Sequence, residues 1–325
     1  MQRIVILGAG TAGTIMANRL RKRYRGAVKS GAMEIVVVDQ DDRHVYQPGL
    51  LFIPFGIYDP AETVRPRRKQ VHAGVRYVQA PIDRVEPDED QVYLANGDVL
   101  AYDLLIVATG TRIAPEETEG LTGPGWLERM FEFYTLEGAT ALAGALEHFE
   151  GGRLVVNVVE MPIKCPIAPL EFVFLADWYF VKRGIRDRVE IALATPLDGA
   201  FTRPVAATAL GDLLAAKNIE LITEFNAGEV DGPNGTLISW DERTVDFDLL
   251  VSVPLHMGAE FVGRSPGLGD AMDFVRTNPA TLQAEHKGNI FALGDATNVP
   301  TSKAGSVAHF QAEVLTENVA RYLAG

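Results

Sequence analysis

Two places in the chain carry residues whose types and spacing could do chemistry. The first is GAGTAG, with glycines at 8, 10 and 13, set between an apolar run at residues 4–7 and a basic, alanine-containing stretch. Gly8 permits a tight turn, Gly10 lets the backbone approach a pyrophosphate, and Gly13 allows a helix to pack closely on a strand. The amides of Ala9, Gly10, Thr11, Ala12 and Gly13 then lie where the start of a helix offers free N–H groups and partial positive charge to phosphates. The run EIVVVD ends in Asp39, placed to accept hydrogen bonds from ribose hydroxyls, with Gln40 next to it. This is a dinucleotide fingerprint, and it does not by itself choose between NAD and FAD.

The second place is Cys165, the only cysteine in the chain. It follows Lys164 and precedes a helix, two settings that lower a thiol pKa and favour the nucleophilic thiolate. A buried, inert cysteine is the competing reading. One cysteine excludes an intrachain disulfide and a cysteine-based metal site. His44, His72, His256, His286 and His309 are scattered without metal-ligand spacing. His256 reads better as a structural histidine than as a proton relay, and Glu160 better as a surface carboxylate than as a base. No G-x-S-x-G motif is present.

The elements that must position these groups follow from the hydrophobic pattern. Residues 4–7 and 34–39 read as buried parallel strands flanking a helix that starts near Thr11 and ends in basic residues, a right-handed βαβ unit. Asn96–Asp98 is a hairpin signal, and LLIVATG at 104–110 is a further buried strand ending in a small-residue turn. A second α/β block begins near Gly151. It has a strand at 153–160, a helix at 170–183 with Phe172, Leu175, Ala176 and Tyr179 on one side, and a strand from Val189. A helix and strand follow it, then buried strands near 249–253 and 289–293 and a terminal helix from about Gly305. The blocks echo one another weakly.

The expected fold class is therefore α/β, with two Rossmann-like domains. One spans 1–113 plus 254–325 and binds the dinucleotide; the other, 114–253, is inserted and carries the cysteine. A length of 325 residues suits two domains. Hydrophobic residues at 47% and charged residues at 22% fit an ordinary soluble protein. A net charge of -13 and a pI near 5.0 argue against a nucleic-acid partner, and the basic run Arg65 to Lys69 reads as a solvated face. No secretory signal precedes the first strand, and no apolar run reaches transmembrane length, so a cytoplasmic location is expected. The composition leaves the oligomeric state open.

Three motifs narrow the reading. HVYQPGLLFIPFG at 44–56, KCPIAPLEF at 164–172 and GDATNVPTSK at 294–303 occur in this order. In them the chain resembles, over essentially its whole length, the sulfide:quinone oxidoreductase family of two-dinucleotide-binding-domain flavoproteins. Flavocytochrome c sulfide dehydrogenase and the type II NADH dehydrogenases are its relatives. The resemblance implies FAD, with Gly294 and Asp295 at the ribityl chain and Ala108, Thr109 and Gly110 near the pyrophosphate. It also implies Ile82 at the adenine through its backbone, and Pro48 and Gly49 near the isoalloxazine ring. Lys303 and the helix start at Gly305 would stabilise negative charge on the reduced flavin. Cys165 would carry sulfur beside the flavin and pass electrons to it, and a quinone would take them up.

The second block lacks a glycine loop after its first strand. Pro162, Pro166 and Pro169 stiffen the backbone and remove amide donors there, so NAD(P)H is not the expected electron donor. Members of the family usually hold a second redox cysteine and a C-terminal segment that docks on the membrane surface. This sequence has one cysteine and stops at ARYLAG, so a membrane-surface partner is expected only with such a tail. Two other readings fit the same residues: a soluble flavin disulfide or persulfide reductase, and a flavin-binding subunit of a larger electron-transfer complex.

Overall fold

The apolar run that opens the chain becomes the central strand of a parallel sheet. A computed structural model describes residues 1–325, which divide into two units. The first comprises Met1–Val45, Arg65–Arg112 and Met257–Gly325. Its elements are β1 (Gln2–Leu7), α1 (Thr11–Arg23), β2 (Met33–Asp39), β3 (Arg76–Gln79) and β4 (Leu104–Val107). The sheet order is Ile290–Ala292, β4, β1, β2, β3, all parallel.

Strand alternation sends Ile4 and Ile6 toward Met16 and Leu20 of α1 and toward Ala312, Leu315 and Val319 of the terminal helix Gly305–Ala324. Val5 and Leu7 face the other way, onto Val85 and Val92 of an antiparallel three-stranded sheet, Ile82–Glu86, Gln91–Leu94 and Val99–Ala101. The Asn96–Asp98 turn joins the last two strands. Each large side chain fully buried in these layers contributes about 1.5–3 kcal/mol. Arg21, Lys22 and Arg23 fill the last turn of α1, where the helix dipole favours cations.

The second unit comprises Tyr46–Val64 and Ile113–His256. It contains β5 (Met130–Phe131), α2 (Leu136–His148), β6 (Gly152–Val158), α3 (Ala168–Arg183), β7 (Val189–Ala194), β8 (Ile219–Ile222) and β9 (Leu249–Val253). The parallel order is β5, β9, β6, β7, β8. Val155, Ala192 and Leu250 on one face pack with Leu237 and Val245 of a second antiparallel sheet, Ala227–Asp231, Thr236–Ser239 and Thr244–Asp246. The weak sequence echo thus corresponds to one architecture used twice.

One boundary needs correction. Residues 46–64, which the sequence pattern assigned to the dinucleotide domain, belong to the second unit. Phe55 is buried there against Phe172 and Tyr179 of α3, with ring centroids 5.0 and 5.7 Å away. Pro48 and Gly49 move with it. No helix is long and apolar enough to cross a membrane.

Candidate active site

In the first unit the glycine turn is built tightly at both ends and open in the middle. Gly8 has φ +94°, and a Cβ there would lie 2.6 Å from the Ala108 carbonyl oxygen. A Cβ on Gly13 would lie 1.8 Å from the Gly8 carbonyl oxygen, whereas one on Gly10 would meet nothing within 4 Å. Gly10 is the N-cap of α1, and neither a capping side chain nor an acidic residue in the first turn competes for the helix N-terminus. The amides of Thr11, Ala12 and Gly13 precede the first intrahelical bond, Thr14 N–H to the Gly10 carbonyl at 3.0 Å. Beside the turn, the Thr109 hydroxyl is buried and has no hydrogen-bond partner, and Gly110 adopts φ +69°. An open cradle, free amides and an orphaned hydroxyl fit a pyrophosphate-bearing cofactor.

Asp39 ends β2 and is 8% exposed. Its Oδ2 accepts from the Ala9 amide at 2.7 Å and from Arg67 Nη1 at 2.6 Å. Burial holds its carboxyl above the usual range, while Arg67 pulls the other way. The basic run is therefore not wholly a solvated face. Arg67 is folded in, with only 16% of its side chain exposed, and its Nε also reaches Asp41 Oδ1 at 3.3 Å. Gln40 is exposed and Ile82 half-buried on its strand edge.

Asp295 is half-buried in the turn Gly294–Ala296, and Gly294 donates its amide to Gln311 Oε1 at 2.6 Å. Lys303 differs from the expectation. It is 6% exposed, its ammonium donates to the carbonyls of Asp295 and Thr297 at 2.9 and 3.0 Å, and it lies 3.8 Å from the Phe274 ring centroid. Burial lowers its pKa. Lys303 thus clamps the turn that carries Asp295, because buried carbonyls need donors. The terminal helix begins at Gly305 with no capping side chain and no acid in its first turn.

In the second unit Cys165 is exposed, contrary to the buried, inert alternative, and its backbone is left-handed at φ 49°. Its carbonyl accepts from the Ala168 amide at 2.8 Å, which sets the turn into α3. That helix carries Pro169 and Glu171 in its first turn, so one amide is missing and a negative charge stands where a phosphate would dock. Glu160 is exposed. His256 is fully buried, with Nδ1 2.9 Å from the Pro254 carbonyl oxygen and its ring edge-on to Tyr134 at 4.8 Å.

Sequence reasoning missed Glu132 and Tyr134, which follow β5. Glu132 is 2% exposed and accepts from the Thr135 amide at 2.9 Å, and also from the Tyr134 amide and the Thr135 hydroxyl. Burial raises its pKa and the Lys164 charge opposes this. The Tyr134 phenol is pushed well up by burial, with the Cys165 thiol the next cause, and its hydroxyl has no hydrogen-bond partner. Lys164 Nζ stands 5.8 Å from its ring centroid. The available signal was an acid at a strand end followed by Thr135, which caps α2 through Gly138. No group of histidine, cysteine and acid side chains could hold a metal ion.

Two units, each with a five-stranded parallel sheet, and a glycine turn on the first define the architecture of the FAD/NAD(P)-binding oxidoreductases. Residues 2–156 match the pyridine nucleotide-disulphide oxidoreductase family. The mitochondrial sulfide:quinone oxidoreductase of Mus musculus is 26% identical over 318 residues, covering 96% of this chain and 69% of that protein. The crystal structure of the sulfide:quinone oxidoreductase of Aquifex aeolicus superposes with a TM-score of 0.86 at 19% identity, over 99% of this chain and 77% of that one. A NAD-dependent persulfide reductase from A. fulgidus shares the fold at a TM-score of 0.73 and 17% identity, over 98% of this chain and 59% of that one. Over nearly its whole length the chain is similar to the sulfide:quinone oxidoreductases; it is a flavin-dependent oxidoreductase, and its cofactor is FAD.

Proposed function

We propose that this protein oxidises sulfide, or a related sulfur nucleophile, at Cys165 and delivers the electron pair through FAD to a quinone. The observation that carries the reading is the exposed thiol of Cys165, held in a left-handed turn at the entry to α3, where a second phosphate cradle would otherwise stand. Left-handed backbone at a non-glycine residue costs free energy and persists where surroundings enforce it, often at functional sites. The relatives from Mus musculus and Aquifex aeolicus are named for the same reaction.

Bound FAD supplies a two-electron acceptor that a quinone can reoxidise. The residues of the chain do the rest. With FAD bound as the two-electron acceptor, the Cys165 thiolate would take up hydrosulfide as a persulfide: one S–S bond would form, the hydrosulfide proton would leave, and the electron pair would go to the flavin. Lys164, next in sequence, favours the thiolate by charge. A nucleophile that attacks the outer sulfur would release it and restore the thiol. In the first unit, the Gly8–Gly13 turn, Thr109 and Gly110 would hold the pyrophosphate, Asp39 the adenosine ribose and Asp295 the ribityl chain, with Ile82 at the adenine. Lys303 keeps the Asp295 turn in place.

Pro169 and Glu171 at the start of α3 count against a nicotinamide donor in the second unit, and so against a pyridine-nucleotide-driven persulfide reductase. Anaerobic titration separates the two. Sulfide should bleach the flavin absorbance of the wild type and not of Cys165→Ser, a soluble quinone should restore it, and NADH should leave it unchanged. Sulfide-dependent bleaching that persists in Cys165→Ser would refute the proposal; rapid bleaching by NADH would favour the reductase.

A further inference from the structure

We infer that Arg67 is a positioning residue for the cofactor: its guanidinium fixes the Asp39 carboxylate, ionised and correctly rotated, to accept a hydrogen bond from the adenosine ribose of FAD. This rests on the reading of Asp39 as the ribose acceptor. The geometry supplies two arguments, one of orientation and one of charge.

The orientation argument counts lone pairs. A carboxylate offers about four acceptor sites. The Ala9 amide and Arg67 Nη1 converge on Oδ2, at 2.7 and 2.6 Å. Two protein donors hold Oδ2 and leave Oδ1 for a ribose hydroxyl. The Ala9 bond also ties the end of β2 to the glycine turn, so sugar and pyrophosphate sites are set by one carboxyl group.

The charge argument concerns the company Asp39 keeps. Asp41 and Asp42 follow on the same loop. Arg68 Nε binds Asp42 Oδ2 at 2.6 Å, Arg43 reaches Asp41 at 3.9 Å, and the Tyr77 hydroxyl donates to the Asp41 carbonyl at 2.5 Å. His44 Nδ1 lies 3.3 Å from the Ala9 carbonyl oxygen. Arg67 is the cation that touches Asp39, and its Nε bridges to Asp41 at 3.3 Å. A buried carboxyl beside other acids tends to take up a proton, and a protonated carboxyl loses acceptor capacity. The planar fork of arginine aims its donors in fixed directions and here spans Asp39 and Asp41, whereas a lysine would keep the charge without that fixed geometry.

The test is FAD affinity of the apoprotein between pH 5 and pH 8, by flavin fluorescence, for wild type, Arg67→Met, Arg67→Lys and Asp39→Asn. Arg67→Met should bind several-fold more weakly than wild type even at the alkaline end, where the lost orientation of Asp39 acts alone. Its affinity should then fall at least tenfold more than that of wild type toward the acid end, with Arg67→Lys between them. Asp39→Asn should bind weakly and lose the pH dependence. The same comparison in a His44→Gln background should preserve the difference. A profile for Arg67→Met parallel to wild type would overturn the role of Arg67. Wild-type affinity in Asp39→Asn would overturn the ribose reading beneath it. Arg67→Lys carries the test if Arg67→Met does not fold.

Discussion

Alanine at Gly10 and at Gly13 should separate what the cofactor needs from what the fold needs. At Gly10 the backbone is at φ -74° and ψ -161°, open to any residue, and a Cβ meets nothing within 4 Å. Apoprotein stability should therefore change by less than about 0.5 kcal/mol, or rise slightly as the unfolded chain loses freedom. That methyl group would, however, stand where the pyrophosphate approaches the helix N-terminus, and FAD affinity should fall at least tenfold, about 1.4 kcal/mol. At Gly13 the Cβ would sit 1.8 Å from a backbone oxygen of Gly8. Gly8 cannot yield, because its own Cα faces the Ala108 carbonyl and Thr109 Cα. The strand and α1 must part, at a cost of about 1–3 kcal/mol or more. Urea denaturation of the apoproteins reads the first quantity and FAD titration the second. Wild-type FAD affinity in Gly10→Ala, or a wild-type denaturation midpoint in Gly13→Ala, would refute the reasoning.

Other expectations follow from single contacts. Lys303→Met removes the donor to two inward carbonyls and should lower stability by about 1–3 kcal/mol for each one left unpaired, with faster FAD loss on dilution; an unchanged melting temperature would show that the clamp is idle. Asp177, 6% exposed on α3, binds Arg186 Nε and Lys217 Nζ at 2.7 Å each; burial pushes its carboxyl up, but these two cations outweigh burial and hold it below the usual range. Its stabilisation is therefore present above the unfolded value of about 3.9 and fades as pH falls through the lower folded value. Asp177→Asn should flatten that acid limb of the stability curve, and a limb identical to wild type would contradict it. Cys165→Ser, at an exposed position, should leave stability within about 0.5 kcal/mol of wild type.

Much of the fold was legible because the buried parallel strands are short continuous apolar runs that lead into glycine-containing turns, as at 4–7 and 104–107. The helix α2 was not, since Gly138 and Gly144 interrupt LEGATALAGALEH and weaken its helical signal. The reason for Gly138 is tertiary: a Cβ there would lie 1.9 Å from Glu132 Oε1. Residues 46–64 were misassigned because sequence adjacency suggested the first domain, whereas Phe55 buries against α3. In the site, the glycines and Asp39 were visible through fixed spacing. Arg67 was hidden within a basic run whose neighbours are solvated, and Glu132 and Tyr134 had no motif, since only the strand order brings their segment to the sheet edge.

The strand Ile290–Ala292 pairs with β4, and the terminal helix covers the same sheet. On a ribosome, the segments of the second unit are all synthesised by residue 256, while the first unit still waits for its edge strand and its longest helix. The unit that begins first is thus completed after the second, and FAD can be captured in full only once residues 290–324 have emerged. Until then α1 and β1 expose the apolar surface that Ala312, Leu315 and Val319 will cover, so cofactor supply and escape from aggregation are settled in the same late interval.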